Sequence, residues 1–238
     1  IVYLTYKRNT MVLTDSFGQR VRINIPENTK KLGISMSGGA DSAILCYIVA
    51  KHLKEINSNV IIHPFSCNWA VRPWSQGKVE NIVEEIKKST GYANFGQIYK
   101  FTIAMDEIEQ GDDRKAKVFG YYTRFMLENN LLDHFFSGKT KNPSFEVMKT
   151  FKDQVRQKDR DTPTRKSIYK DTVETIPFAM VDKRFVIDMY KKNNLLNTLL
   201  PLTRSCEGSE DLTDNFTSTC GQCWWCNERE WALKQVNG

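Results

Sequence analysis

At 238 residues, with 40% hydrophobic and 26% charged side chains, the chain has the composition of an ordinary soluble globule large enough for an α/β domain with a substantial core. No uninterrupted apolar run approaches membrane length, and Ile1 to Arg8 lacks the apolar core of a secretion signal, so a cytoplasmic protein with no membrane partner is expected. A net charge of +6 is modest, and six cysteines in a chain this rich in core residues point to metal rather than to disulfide staples.

Residues 1–30 alternate loosely: Val2, Leu4 and Tyr6, then Met11 to Leu13, then Val21, Ile23 and Ile25, with a turn signal at Asp15 to Gln19. This predicts an N-terminal β-hairpin that extends or flanks a main sheet. Leu32 to Met36 then reads as a buried strand. Ala43, Ile44, Leu45, Tyr47, Ile48, Val49 and Leu53 recur at helical spacing, with Lys51, Lys54 and Glu55 on the polar side. Val60 to Ile62 predicts a short second strand, and Pro64 confines it to an edge or an end. A helix over Gln76 to Ser89 stops at Gly91, a third strand covers Gln97 to Ile103, and Glu107 to Lys117 reads as a mobile loop over a site. A further helix runs from Val118 to near Asn129, and Phe135 to Gly138 closes the series as a short strand. The repeat of strand and helix predicts an α/β fold, a doubly wound parallel sheet.

The regular pattern breaks over residues 139–172, where part of the stretch is expected to be disordered. Between Lys139 and Lys192 there are fourteen Lys/Arg against eight Asp/Glu, so the whole positive surplus falls here. A solvated face and an anion-binding role, nucleic acid included, are both open. A helix over Asp182 to Asn193 turns Phe185, Val186, Met189 and Tyr190 inward. The domain plan is therefore a hairpin extension (1–30), an α/β domain with a basic insertion (31–204 and 139–172) and a cysteine-bearing tail (205–238).

Ser37-Gly38-Gly39-Ala40-Asp41-Ser42 sits where the first strand of the main sheet gives way to its long helix. Adjacent glycines let a phosphate approach the backbone, and amides of a helix's first turn then point at the anion. Ser37 and Ser42 add hydroxyl donors, and Asp41 can hold Mg2+. A plain loop followed by a helix cap would use similar residues; the strand before and the apolar helix after favour phosphate. No lysine follows the glycines, which sets the stretch apart from a Walker-type loop. Phe65 and Ser66 lie where the second strand delivers its C-terminal end, the region in which doubly wound sheets collect ligands.

Cys206, Cys220, Cys223 and Cys226 form the second constellation. Three of them at two-residue gaps let a tight turn aim successive sulfurs at one centre, which suits a tetrahedral Zn2+ site with no open position, hence a structural one. An iron–sulfur cluster uses the same ligands and stays open on spacing alone. Cys46 and Cys67 read instead as buried, inert thiols. Trp224, Trp225 and Trp231 are open between covering the metal, filling the core and forming a partner surface.

The Ser37 to Ser42 stretch resembles the SGGxDS signature of the PP-loop ATP pyrophosphatases, which implies an adenine nucleotide alpha hydrolase-like fold and cleavage of ATP between the α and β phosphates. With the ending Cys220-Gly-Gln-Cys-Trp-Trp-Cys-Asn-Glu-Arg229, the chain is similar to the 7-cyano-7-deazaguanine synthase family over about Leu32 to Leu233. That resemblance implies ATP, magnesium and a structural zinc, with a deazapurine acid and ammonia as substrates on the way to queuosine-type bases. It implies Gly138 beside the nucleotide and Lys183, of the pair Asp182-Lys183, near phosphate, so that Asp41 and Lys183 carry the catalysis. The chain departs from the family in the thirteen residues between Cys206 and Cys220, in Asn68 to Pro73 after the second strand, and in the basic insertion. Phe65, Trp69 and Trp74 are candidates for an aromatic slot for the base. Two other readings are modification of a nucleic acid base by adenylation and a non-catalytic nucleotide-binding partner of a multiprotein system; a homodimer is compatible with all three.

Overall fold

The computed structural model describes residues 9–69, 74–103, 113–152, 166–169 and 172–238, with the backbone alone at 68–69, 74–77, 103, 113–118, 166–169 and 172–173. Strands β1 (Thr10–Thr14) and β2 (Arg20–Asn24) pair antiparallel as a separate two-stranded sheet, so the hairpin flanks the main sheet and does not extend it. Asp15 closes its turn by accepting from the amides of Phe17 and Gln19. Val2, Leu4 and Tyr6 lie outside the described residues.

The main sheet contains β3 (Lys31–Ser35), β4 (Ile61–Trp69), β5 (Tyr99–Ile103), β6 (His134–Phe136), β7 (Lys166–Tyr169) and β8 (Thr172–Thr175) in the order β5-β4-β3-β6-β8-β7. All neighbours run parallel except β7, which turns back antiparallel on β8. The helices α1 (Ala40–Glu55), α2 (Trp74–Thr90) and α3 (Asp113–Glu128) connect the first four of these strands. The chain steps outward from β3 through β4 to β5, then returns to the other side of β3 for β6. The order reverses between β3 and β6, and the loops leaving their C-terminal ends face each other across that break.

Both faces of the sheet are covered. On one, Leu32, Ile34 and Phe136 meet α1, α2 and α5 (Lys183–Lys192), together with Met11, Val21, Ile23 and Ile25 of the hairpin and Ala232 and Val236 of α6 (Trp224–Asn237). On the other, Phe65, Cys67 and Phe135 meet Met126 of α3. The hairpin and the cysteine-bearing tail thus share one core with the α/β domain. α1 is buried on nearly every side from Ala40 to Ala50, since it lies between α2 and α5; its polar side shrinks to its last turn. Cys46 and Cys67 are buried thiols.

One sequence expectation needs correction. β4 is nine residues long and interior, with Pro64 in its middle. Its even-numbered residues turn their backbone groups toward β5, as Ile62 does in bonding Asn94 and Gly96, and the β4–β5 ladder is interrupted between the Ile62–Phe95 bridge and Phe65–Tyr99. The missing N–H of Pro64 falls in that gap and costs no ladder bond. Within the basic insertion, α4 (Phe145–Met148) and β7 are regular, and 153–165 and 170–171 lie outside the described residues. The loop expected over Glu107 to Lys117 lies outside the described residues at 104–112, and from Asp113 the chain is helical. Among the described residues no helix is long and apolar enough to cross a membrane.

Candidate functional site

Met36, the residue after β3, donates its amide to the Phe65 carbonyl at 2.7 Å, which carries the parallel ladder one step beyond the strand and launches the chain toward the switch point. Gly38 then takes φ +77°, a left-handed conformation that costs a side-chain-bearing residue about 1–2 kcal/mol. The turned carbonyl of Gly38 accepts from the Arg204 amide at 2.8 Å. Gly39 is the N-cap of α1 and offers no side chain to its amides. A sixteen-residue helix therefore begins with first-turn donors that no capping side chain occupies, the arrangement that receives an anion. Ser42 donates to the Gly39 carbonyl at 3.1 Å and lies 3.4 Å from the Ser37 hydroxyl, so both hydroxyls of the signature stand together at this turn.

Gly138, which follows β6 and Ser137, backs directly onto the same turn. A Cβ there would stand 2.8 Å from the Asp41 carbonyl oxygen and 2.9 Å from the Ser42 nitrogen. The glycine sits against the backbone that presents the loop, one layer behind it. From the opposite side, the buried Tyr190 hydroxyl donates to the Ala40 carbonyl at 2.9 Å, and burial raises its pKa well above the ordinary phenol value.

Lys183 is the first residue of α5, and Asp182 caps that helix by accepting from the Arg184 amide. Asp182-Lys183 thereby does two jobs: the aspartate fixes the helix start, and the lysine reaches back across the sheet edge. Its ammonium lies 2.6 Å from both oxygens of Asp41 and 3.3 Å from Glu228 Oε2. Lys183 is 2% exposed, whereas the Asp41 side chain keeps 21% of its surface open. Lys78 on α2 shares this neighbourhood: its amine pKa is lowered first by burial and then by repulsion from Arg204 and Arg229.

Of the other expected residues, Phe65 is buried, and its ring packs on Phe101, Phe119 and Phe135 at centroid distances of 5.0, 5.4 and 5.4 Å. It supplies the loop with a backbone carbonyl, not an aromatic surface. Ser66 is also buried. The side chains of Trp69 and Trp74 lie outside the described ones. Arg204, Glu228 and Tyr190 join the site from more than 140 residues away and were missed as site residues; no local pattern marks such a meeting.

The four tail cysteines converge. Their sulfurs all lie within 4.8 Å of one another, with Cys206 and Cys220 at 3.5 Å. Backbone amides support them: Gly208 and Cys220 donate to Cys206 Sγ and Cys223 to Cys220 Sγ at 3.3 Å, and Glu207 donates to Cys223 Sγ at 3.5 Å. The Cys223 pKa is lowered to about 4, chiefly by the hydrogen bond from Cys226 and then by the Glu207 amide; Cys226, as the donor, is raised, and burial raises Cys206. Thiolates are what a soft metal needs, and four of them at this spacing fit a single ion. Trp224 fills the adjacent core against Phe151 and Met148, which ties the tail to the basic insertion. Arg229, on the same helix as Cys226, donates to the carbonyls of Leu200 at 3.0 Å and Thr203 at 3.2 Å, and burial lowers its pKa.

Fold and site together define a doubly wound α/β protein with a glycine loop at its switch point and a four-cysteine centre in its tail. No protein-family model and no curated protein matches the chain. Among solved structures it is similar to the U34-tRNA thiolase NcsA from Methanococcus maripaludis with its [4Fe-4S] cluster, at 15% identity and a TM-score of 0.44 over 89% of this chain and 74% of that one. It is also similar to NAD+ synthetase from Burkholderia pseudomallei, at 12% identity and a TM-score of 0.37 over 88% of this chain and 80% of that one.

Proposed function

We propose that the chain is an ATP-dependent ligase of the PP-loop type, which adenylates a carboxylate or amide oxygen, with 7-carboxy-7-deazaguanine as substrate and ammonia as nitrogen donor. The observation that carries the adenylating reading is the pairing of Lys183 with Asp41 at the uncapped start of α1: a buried cation and an acidic group stand together where phosphate would enter. The substrate itself comes from the resemblance in sequence.

In this reading a substrate carboxylate oxygen bonds to the α-phosphorus and the bond to the β-phosphate oxygen breaks, releasing pyrophosphate. Ammonia then bonds to the acyl carbon, sheds a proton and displaces AMP, giving the amide. A second adenylation on the amide oxygen, with release of pyrophosphate, followed by loss of both nitrogen protons and of AMP, gives the nitrile. First-turn amides and the hydroxyls of Ser37 and Ser42 receive the charge that gathers on the leaving oxygens, and Lys183 adds a cation. Asp41 would hold magnesium, which shields phosphate charge when bound. The tail is assigned to zinc, because bonds of about 2.3 Å in a tetrahedron set sulfurs about 3.8 Å apart, whereas a four-iron cluster hangs each thiolate on a different iron and spreads them wider.

Four of the fourteen cations between Lys139 and Lys192 make contacts within the fold. Lys183 meets Asp41 and Glu228, Arg184 meets Asp182, Lys191 donates to the Val236 carbonyl and Lys192 meets Asp188. Incubation with ATP, magnesium, ammonia and 7-carboxy-7-deazaguanine should yield AMP, pyrophosphate and the nitrile by mass spectrometry. Pyrophosphate release stimulated by RNA, with the deazapurine unchanged, would move the reading to base modification. Intact ATP with every acceptor would end the adenylating reading.

A further inference from the structure

Lys183 has a second carboxylate that the chemistry above does not use. Glu228, fully buried on the second turn of α6, places Oε2 3.3 Å from the ammonium that Asp41 already holds with both oxygens. A buried carboxylate is expensive to desolvate, and a cation with one two-oxygen partner gains little from another. The contact therefore makes little sense as a stabilising pair. It makes sense if Asp41 leaves.

A magnesium ion on Asp41 would compete with Lys183 for the same two oxygens, which both lie 2.6 Å from its ammonium. Lys183 would then stand beside a second, stronger cation, with Glu228 as the protein carboxylate left to hold its ammonium in place as phosphate arrives. We propose that Glu228 is a positioning residue of the nucleotide site, holding the Lys183 ammonium toward the phosphate loop whenever Asp41 is engaged elsewhere. This rests on the adenylating reading given above. The placement of Glu228 is set by the cysteine centre: Cys226 lies two residues before it, and Arg229, the next residue, locks α6 onto the carbonyls of Leu200 and Thr203. The segment so held continues into Arg204, whose amide fixes Gly38. The tail thus contributes both a side chain and a backbone restraint to the loop.

The test uses the full, metal-loaded chain and the non-cleavable probe α,β-methylene-ATP, titrated calorimetrically with magnesium and in magnesium-free buffer. Glu228→Gln should weaken binding about tenfold or more with magnesium, the loss expected for a charge-assisted contact, and leave it within about twofold without. Zinc content and melting temperature report separately on the fold. Equal affinity of variant and wild type in magnesium overturns the proposal, and so does an equal loss in both buffers, which is what a merely structural glutamate would give. Glu228→Asp draws the carboxylate back by one methylene and should show a smaller loss of the same magnesium-selective kind, so a folding failure of the first variant leaves a decisive measurement; no loss in Glu228→Asp overturns the proposal as well. Wild-type protein that fails to bind the probe in either buffer overturns the nucleotide reading and this proposal with it.

Discussion

Adding one methyl group at Gly138 should disturb the loop without touching any polar group. The new Cβ would stand 2.8 Å from the Asp41 carbonyl oxygen, 2.9 Å from its carbon and 2.9 Å from the Ser42 nitrogen, closer than such carbons approach backbone. Neither side has a flexible side chain to yield. The segment carrying Gly138 is tied to β8 by the Ser137 amide on the Thr175 carbonyl at 3.0 Å, and α1 is held from behind by Tyr190. Overpacking of this kind costs about 1–3 kcal/mol. A loss of about 2 kcal/mol lowers the melting temperature by about 4–8 °C in a chain of this size. A displaced first turn should also weaken α,β-methylene-ATP binding, since misplacements of about 1 Å cost up to about a hundredfold in such sites. Gly39→Ala is the control: its Cβ would come closest to the rotatable Ser37 hydroxyl at 3.2 Å, with the Arg204 carbonyl and Ser205 hydroxyl at ordinary contact distances of 3.7 and 3.8 Å, and its φ of −86° suits any residue, so it should cost under about 1 kcal/mol. Thermal melts and calorimetry on the three proteins decide the matter. A Gly138→Ala protein that melts with the wild type, or a Gly39→Ala protein that melts lower than Gly138→Ala, would refute the packing argument.

Asp41→Asn should cut pyrophosphate release about a hundredfold or more while leaving the circular dichroism unchanged, because the side chain faces the open loop; an unaltered rate removes it from the chemistry. Metal analysis should find about one zinc per chain, lost in Cys220→Ser together with several degrees of melting temperature; a zinc-free native protein, or one whose four tail thiols all react at once, would contradict the assignment. Burial pushes the Cys46 thiol from 9.0 up to about 12, so its contribution is complete below pH 9 and is lost as pH rises from 9 to 12, at about 1.4 kcal/mol per pH unit. Urea unfolding between those pH values should show a shallower alkaline slope for Cys46→Ala, and identical slopes would sink the claim.

The sequence was most readable where one element dictates its own shape. The glycine pair, the α5 start at Asp182-Lys183 and the two-residue cysteine gaps each announced a local geometry, and each is found. Pro64 misled because its rule concerns a missing N–H, and whether that absence matters depends on a gap in the neighbouring ladder. Phe65 misled in another way: its position at the level where β3 ends was right, but strand alternation sends its ring to the face covered by α3. Glu228 had no signal at all. A glutamate in a charged helix reads as surface until the fold brings Lys183 to it.

The glycine loop is made well before the contacts that give it form: Lys183 on Asp41 spans 142 positions and Tyr190 on Ala40 spans 150. At ribosomal speeds of about 5–20 residues per second, a nascent chain waits roughly 8–30 s between making the loop and making the residues that clasp it. During that interval the strand β3 and helix α1 have only their nearer neighbours. The loop therefore takes its final form only after these later residues have been made, and a chain interrupted before Lys183 lacks the cation that holds Asp41.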